Sequence, residues 1–146
     1  MSNKAGISLV EAMVAMMILA IVSAAIIMMT LQVLALNTSA KLKNESSYYA
    51  QQLIEQVRDY YSTNGWGALS GVARPNPGQC YLSVAPAWQA AMVSPCTPCV
   101  DGPVAGTNFY RYVTLTTSSN SVAVAAVVCW MDRGQQKTTE VDTYFY

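Results

Sequence analysis

The feature that most constrains this chain is an apolar run that begins at Gly6 and continues to Leu36. The run contains one charged residue, Glu11, and no other charge lies between Lys4 and Lys41. A helix of about 20 apolar residues spans the hydrocarbon core of a bilayer, so this run is long enough to cross a membrane. The sequence therefore predicts a membrane-spanning helix.

Two ordinary explanations of such a run are an uncleaved signal anchor and a secretory signal peptide. The run is longer than the roughly 7 to 15 apolar residues of a signal peptide, and no small-x-small cleavage site with a clear polar region follows it. A plain anchor has no use for Glu11, because a charge at the centre of a membrane helix costs on the order of 2.5 to 3.5 kcal/mol. Glu11 is therefore a candidate functional residue.

The residues around Glu11 resemble the class III signal of type IV prepilins and of the related type II secretion pseudopilins. In that family a short, positively charged leader ends in glycine, a hydrophobic residue follows, and glutamate stands fifth in the mature chain. Gly6, Ile7 and Glu11 match this pattern. Most members have phenylalanine where this chain has Ile7, a departure that leaves the rest of the pattern intact.

The resemblance implies how the chain is processed and where it acts. A prepilin peptidase is expected to remove leader residues 1–6 by cutting between Gly6 and Ile7, and to methylate the new amine of Ile7. Before assembly the subunit is expected to be a single-pass protein of the inner membrane. An assembly platform with a cytoplasmic ATPase is then expected to move it into an extracellular or periplasmic filament. There Glu11 is expected to pair with the N-terminal amine of a neighbouring pilin subunit. An unpaired buried charge is costly, so this pair sets the axial register.

Charge alone does not fix the topology. Lys4 favours a cytoplasmic N-terminus, whereas Lys41 and Lys43 lie beyond the apolar run and favour the opposite orientation. The expectation that the N-terminus is cytoplasmic therefore rests on the resemblance.

Composition excludes several classes of function. The 146 residues carry eight acidic and eight basic side chains, so the chain has no basic excess of the kind that binds nucleic acid. It contains no histidine, which excludes Ser-His-Asp and Cys-His catalysis and histidine metal ligands. No carboxylate pair or phosphate-binding glycine loop is recognisable, so neither an enzyme nor a cofactor is expected.

The residues beyond the apolar run predict a second, amphipathic stretch of helix. No proline occurs before Pro75, so residues 7–36 and 37–64 are expected to form one helix that ends near Asn64 and Gly65, where glycine suits a C-cap. Many major pilins have a proline midway along the buried half of this helix, and its absence favours a minor role. Residues at spacings of three and four form the predicted buried stripe: Leu42, Ser46, Tyr49, Leu53, Val57 and Tyr60.

Residues 65–106 are rich in glycine and proline and are predicted to be loop, with a possible short helix at residues 87–92. Four cysteines, Cys80, Cys96, Cys99 and Cys129, predict two disulfides with three possible connectivities. Two alternatives stay open: a zinc site of four cysteines, and a redox-active pair at Cys96 and Cys99.

The last third of the chain predicts an antiparallel sheet. Strands are expected near residues 108–117, 121–131 and 138–146, and the second is apolar on both faces, as in a central strand. A long helix packed on such a sheet gives an α+β fold of pilin type, with residues 65–146 forming a globular head.

These observations favour a type IV pilin-like filament subunit. The tail from Val128 to Asp132 and the final strand are similar to those of PilV-type minor pilins and GspI-type pseudopilins. A minor pilin comes first, a major pilin second and a secretion pseudopilin third. The competing class is a single-span protein with an extracytoplasmic binding domain, which would keep residues 1–6 and never polymerise.

Overall fold

The computed structural model describes residues 9–73, 79–83, 89–90 and 97–146. The chain divides into a first unit, Met1–Ala40, and a second unit, Lys41–Tyr146. Its elements are one helix, α1 (Leu9–Ala73), and five strands, β1 (Gln79–Ser83), β2 (Gln89–Ala90), β3 (Phe109–Thr117), β4 (Val122–Asp132) and β5 (Gln135–Phe145).

Helix α1 is broken at Gly65 but does not end there. Gly65 has non-helical angles, φ 78° and ψ 178°, and the chain then returns to helix through Ala73. The predicted helix end near Asn64 and Gly65 thus coincides with this break, whereas the loop predicted directly after it is wrong, because the chain is helical again as far as Ala73. Leu69 and Ala73 are fully buried in the core, and this burial outweighs the poor helix propensity of the surrounding glycines.

The amphipathic stretch of α1 packs on one face of the sheet. The predicted stripe is confirmed at Ser46, Leu53 and Val57, which are buried, and Ala50 and Ile54 join them. From the sheet, the same core receives Tyr81, Phe109, Val113, Leu115, Val122, Val124, Ala126, Val128, Trp130 and Phe145.

The sheet is antiparallel throughout, in the order β2-β1-β3-β4-β5. The predicted sheet and its central strand β4 are confirmed, and with them the α+β, pilin-like fold. Strand β5 begins at Gln135, three residues earlier than expected, because it pairs with β4 up to a two-residue turn. Strands β1 and β2 lie within residues 65–106, and the loop predicted there is wrong at both strands, because β1 pairs with β3 and β2 pairs with β1. Of the possible short helix at residues 87–92, Gln89 and Ala90 are in β2 instead, and the other four residues lie outside the described residues.

Two hydrogen bonds fix the direction of α1 relative to β5 within the second unit. The hydroxyls of Ser46 and Thr139 are 2.9 Å apart, and the Tyr61 hydroxyl donates to the Tyr146 carbonyl at 2.8 Å. Fifteen helical residues rise about 22 Å and seven strand residues about 23 Å. Helix and strand therefore run in the same direction and in step.

Candidate functional site

The candidate site is the apolar segment, residues 9–36 of α1. Every large apolar side chain in it is at least half exposed, from Val22 at 50% to Leu9 at 77%. Within the described residues this is the one helix long and apolar enough to cross a membrane, and its most apolar stretch is not buried at all. A helix that is apolar all round needs an apolar partner. That partner is lipid or another chain.

The hydroxyl groups of α1 in the first unit are satisfied inside the helix. The Ser23 hydroxyl donates to the Leu19 carbonyl at 2.7 Å, and the Thr30 hydroxyl donates to the Ile26 carbonyl at 2.9 Å. Apolar surroundings offer no replacement partners, so such internal pairing is what a membrane or filament core demands. Ser23 was not among the residues predicted to be functional. The sequence pattern that could have identified it is a hydroxyl residue four positions after an apolar residue within an apolar helix.

Glu11 lies in the first turn of α1 as described, with its side chain exposed. No basic group among the described residues lies within ion-pair distance of it. Gly6 and Ile7, the predicted processing residues, lie outside the described residues.

The three cysteines that the structure describes are all in disulfides and offer no free thiol. Cys99 is bonded to Cys129, 30 residues away, and Cys80 is also disulfide-bonded. Cys96 lies outside the described residues. Because Cys99 is bonded to Cys129, it is not half of a redox pair with Cys96. Sulfurs in disulfides are not the thiolates that bind zinc, so the four-cysteine zinc alternative is wrong as well.

The outer face of the sheet, turned away from α1, carries a smaller apolar cluster. It consists of Cys80, Tyr112 and Val127, with Leu82 packed against it. Burial raises the pKa of the Tyr112 hydroxyl, and the negative charges of Glu140 and Asp101 raise it further. Among the described residues, no group of three or more histidine, cysteine or acidic side chains is placed to hold a metal ion.

Comparison with known families points to the same stretch of chain. Residues 1–27 match the model of the prokaryotic N-terminal methylation motif. The chain carries the type IV prepilin signature. This match confirms the resemblance expected from Gly6, Ile7 and Glu11. No curated protein and no solved structure matches the chain.

The signature and the apolar segment indicate the same cellular location for the chain. A prepilin signature followed by an exposed apolar helix fits an inner-membrane anchor that is later assembled into a surface filament. The family that carries this motif consists of structural filament subunits rather than enzymes. Its motif implies other pilin subunits and the prepilin peptidase as partners.

Proposed function

We propose that this chain is a minor pilin-like subunit that enters a type IV filament through its apolar segment. The observation that carries the proposal is the exposed apolar segment behind a prepilin signature, with Glu11 as its one charge. Each large side chain that moves from water into a filament core gains about 1.5 to 3 kcal/mol, whereas the gain relative to lipid is much smaller. Assembly from the membrane therefore needs an external motor.

Processing makes the partner of Glu11. Cleavage between Gly6 and Ile7 creates a new positively charged amine, four residues before Glu11. In a stack of parallel helices this amine from one subunit meets Glu11 of the next. Since desolvation offsets much of the attraction in a buried ion pair, its main effect is to reject every stagger that leaves either charge unpaired.

Two disulfides close the head in this proposal. Cys99–Cys129 is one, and Cys80 with Cys96 is the second, because these are the two remaining cysteines of the four. The second bridge would link β1 to a residue three positions before Cys99.

A secretion pseudopilin is an alternative function, since the tail residues resemble GspI-type pseudopilins as well as PilV-type minor pilins. The two functions differ in where the mature subunit is found. A minor pilin occurs at low abundance in fibres sheared from the cell surface, whereas a pseudopilin is retained in the cell envelope and its loss stops secretion.

Intact, unreduced mass spectrometry of the chain from sheared fibres and from membranes tests the proposal. We expect fibres to contain a chain that starts at methylated Ile7 and lacks four hydrogens, the loss expected for two disulfides. A chain that keeps Met1 and occurs only in membranes would overturn the proposal in favour of a single-span anchored domain.

Substitution of Glu11 tests the pairing. We expect Glu11→Ala and Glu11→Gln to be inserted and cleaved normally but to enter fibres at least tenfold less often, the ratio that about 1.4 kcal/mol produces. Glu55→Ala removes an exposed carboxylate of the same helix in the second unit and is the matched control. Normal incorporation of both Glu11 variants would refute the pairing.

A further inference from the structure

Four of the chain's eight basic residues lie at one end of the second unit. Lys41 and Lys43 begin the unit, and Arg133 and Lys137 flank the turn between β4 and β5. All four side chains are exposed. We call these four residues the basic rim.

The contact between Ser46 and Thr139 places the members of the rim relative to each other. Lys41 precedes Ser46 by five helical residues, about 7.5 Å, and Lys137 precedes Thr139 by two strand residues, about 6.6 Å. Because α1 and β5 run in the same direction, Lys41 and Lys137 lie at the same level. The hairpin turn extends beyond that level, so Arg133 is the most distal cation of the rim.

Arg133 occupies a backbone conformation that an arginine rarely adopts. Its φ is 52° and that of Gly134 is 77°, and Asp132 pairs with Gln135 across the two-residue turn. Turns with two positive φ values favour asparagine, aspartate or glycine at both positions. A non-glycine residue held at positive φ is strained, and such strain is concentrated at functional positions. The turn therefore places an exposed cation at the tip of the hairpin.

The rim keeps a positive balance after nearby acids are counted. Asp132 precedes Arg133, and Glu45 lies in the first helical turns of the unit, where it accepts a hydrogen bond from the Tyr49 hydroxyl. Four cations against two carboxylates leave a net charge of +2. The exposed side chain of Met131, 52% accessible, stands beside the turn.

The chain itself determines what this end can reach. Leu36, the last large apolar residue of the apolar segment, precedes Lys41 by five residues of α1, which rise about 7.5 Å. The headgroup region adds about 5 to 8 Å to each side of the hydrocarbon core. If the apolar segment spans the bilayer, Lys41 is therefore within reach of lipid phosphates, and it belongs to the end of the second unit that carries the rim.

We propose that the basic rim binds the phosphate groups of anionic phospholipids and seats the second unit on the membrane surface while the subunit is stored. This also accounts for Lys41 and Lys43, whose position beyond the apolar segment opposes the usual charge bias of membrane helices. The inference rests on membrane insertion of the apolar segment, but it requires neither cleavage nor polymerisation.

Lysine acetylation of the full chain in lipid nanodiscs tests the proposal. Discs of phosphatidylcholine alone are compared with discs that also contain phosphatidylglycerol, and the acetylation rate of Lys137 is followed by peptide mass spectrometry. Lys137 is the diagnostic residue, since Lys41 is near the bilayer whether or not the head docks. We expect acetylation about fivefold slower in the anionic discs, the effect of one cation at an anionic surface. High salt should abolish this protection.

Two variants locate the contact. Arg133→Gln should remove most of the protection of Lys137, whereas Arg58→Gln, which removes an exposed cation farther along α1, should leave it unchanged. Fast acetylation of Lys137 in both kinds of disc would overturn the proposal. Slow acetylation of Lys137 in both kinds of disc would also overturn it. The second result would indicate that another copy of the chain covers the rim. A chain that keeps Met1 yet shows lipid-dependent protection would refute the filament function and support this inference.

Discussion

The two units solve opposite packing problems with similar residues. In the first unit, α1 is apolar on every side and its large apolar side chains are all exposed. In the second unit, the same helix buries one stripe against a sheet and leaves its polar side in water. Apolar content alone therefore does not say what a helix contacts. The arrangement of those residues around the helix decides whether its partner is inside the chain or outside it.

Leucines at positions 53 and 19 provide the largest contrast between the units. Leu53 is 1% exposed in the core, whereas Leu19 is 69% exposed. We expect Leu53→Ala to lower the free energy of unfolding of the second unit by about 3 kcal/mol, from lost burial and the cavity that remains. Leu19→Ala should change it by less than about 0.5 kcal/mol. Urea unfolding of the full chain in detergent, followed by tryptophan fluorescence, measures both.

Equal losses from the two leucine substitutions would contradict this division of the chain. That result would mean that the first unit contributes to the stability of the head. Far-ultraviolet circular dichroism of the same samples provides a control, because the helical signal of the first unit should persist after the fluorescence transition is complete.

Two serines each donate a hydrogen bond to a backbone carbonyl of the preceding helical turn, in different surroundings. Ser23 is exposed and donates to the Leu19 carbonyl at 2.7 Å, while Ser46 is fully buried and donates to the Lys43 carbonyl at 2.7 Å. Ser46 also contacts the hydroxyl of Thr139. We expect Ser46→Ala to lower the free energy of unfolding by about 1 kcal/mol or somewhat more, because the partly buried Thr139 hydroxyl loses a partner. Ser23→Ala should have no measurable effect in the same assay.

Partial recovery in Ser46→Ala/Thr139→Val would support this explanation, because replacing both partners removes the unsatisfied group. A double variant that is less stable than the sum of the two single changes would contradict it.

The long helix and the main sheet were predictable because they have strong local periodicity. Apolar residues at spacings of three and four around Leu53 predict a helix with one buried face. The run of β4, which is apolar on both faces, predicts a strand that is covered on both sides. The helical turns after Gly65 were not predictable, because only the burial of Leu69 and Ala73 offsets their glycines. Strand β1 was missed for a related reason. Its apolar run is too short to be diagnostic, and pairing with β3 supplies the rest.

The candidate site divides in the same way. Glu11 was identified because a lone carboxylate in an apolar run is costly wherever that run is placed. The basic rim was not identified, because Lys41 and Lys137 are 96 positions apart and come to the same end of the second unit only through the contact of α1 with β5. Arg133 gave no local signal either. Its sequence neighbours predict a turn, but only the fold gives the positive φ that makes an arginine there unexpected.

The smallest predicted effect concerns the response of the two units to alkali. Burial, followed by the charges of Glu140 and Asp101, raises the pKa of Tyr112 above its usual value near 10, and burial also raises that of Tyr81. Below the pKa of the unfolded chain, tyrosine is neutral in both states, so this contribution to stability is fully present. Above pH 10 the unfolded chain loses the proton while the folded chain retains it, so the free energy of unfolding falls as pH rises.

The unfolding transition of the second unit, followed by tryptophan fluorescence, should therefore occur at lower urea concentration above pH 10, while the helical signal of the first unit does not change. Tyr112→Phe should reduce this loss and leave the part due to Tyr81, whereas Tyr48→Phe, on the exposed side of α1, should retain the full loss. If Tyr112→Phe loses stability as steeply as the parent chain, the alkaline sensitivity must arise elsewhere in the second unit.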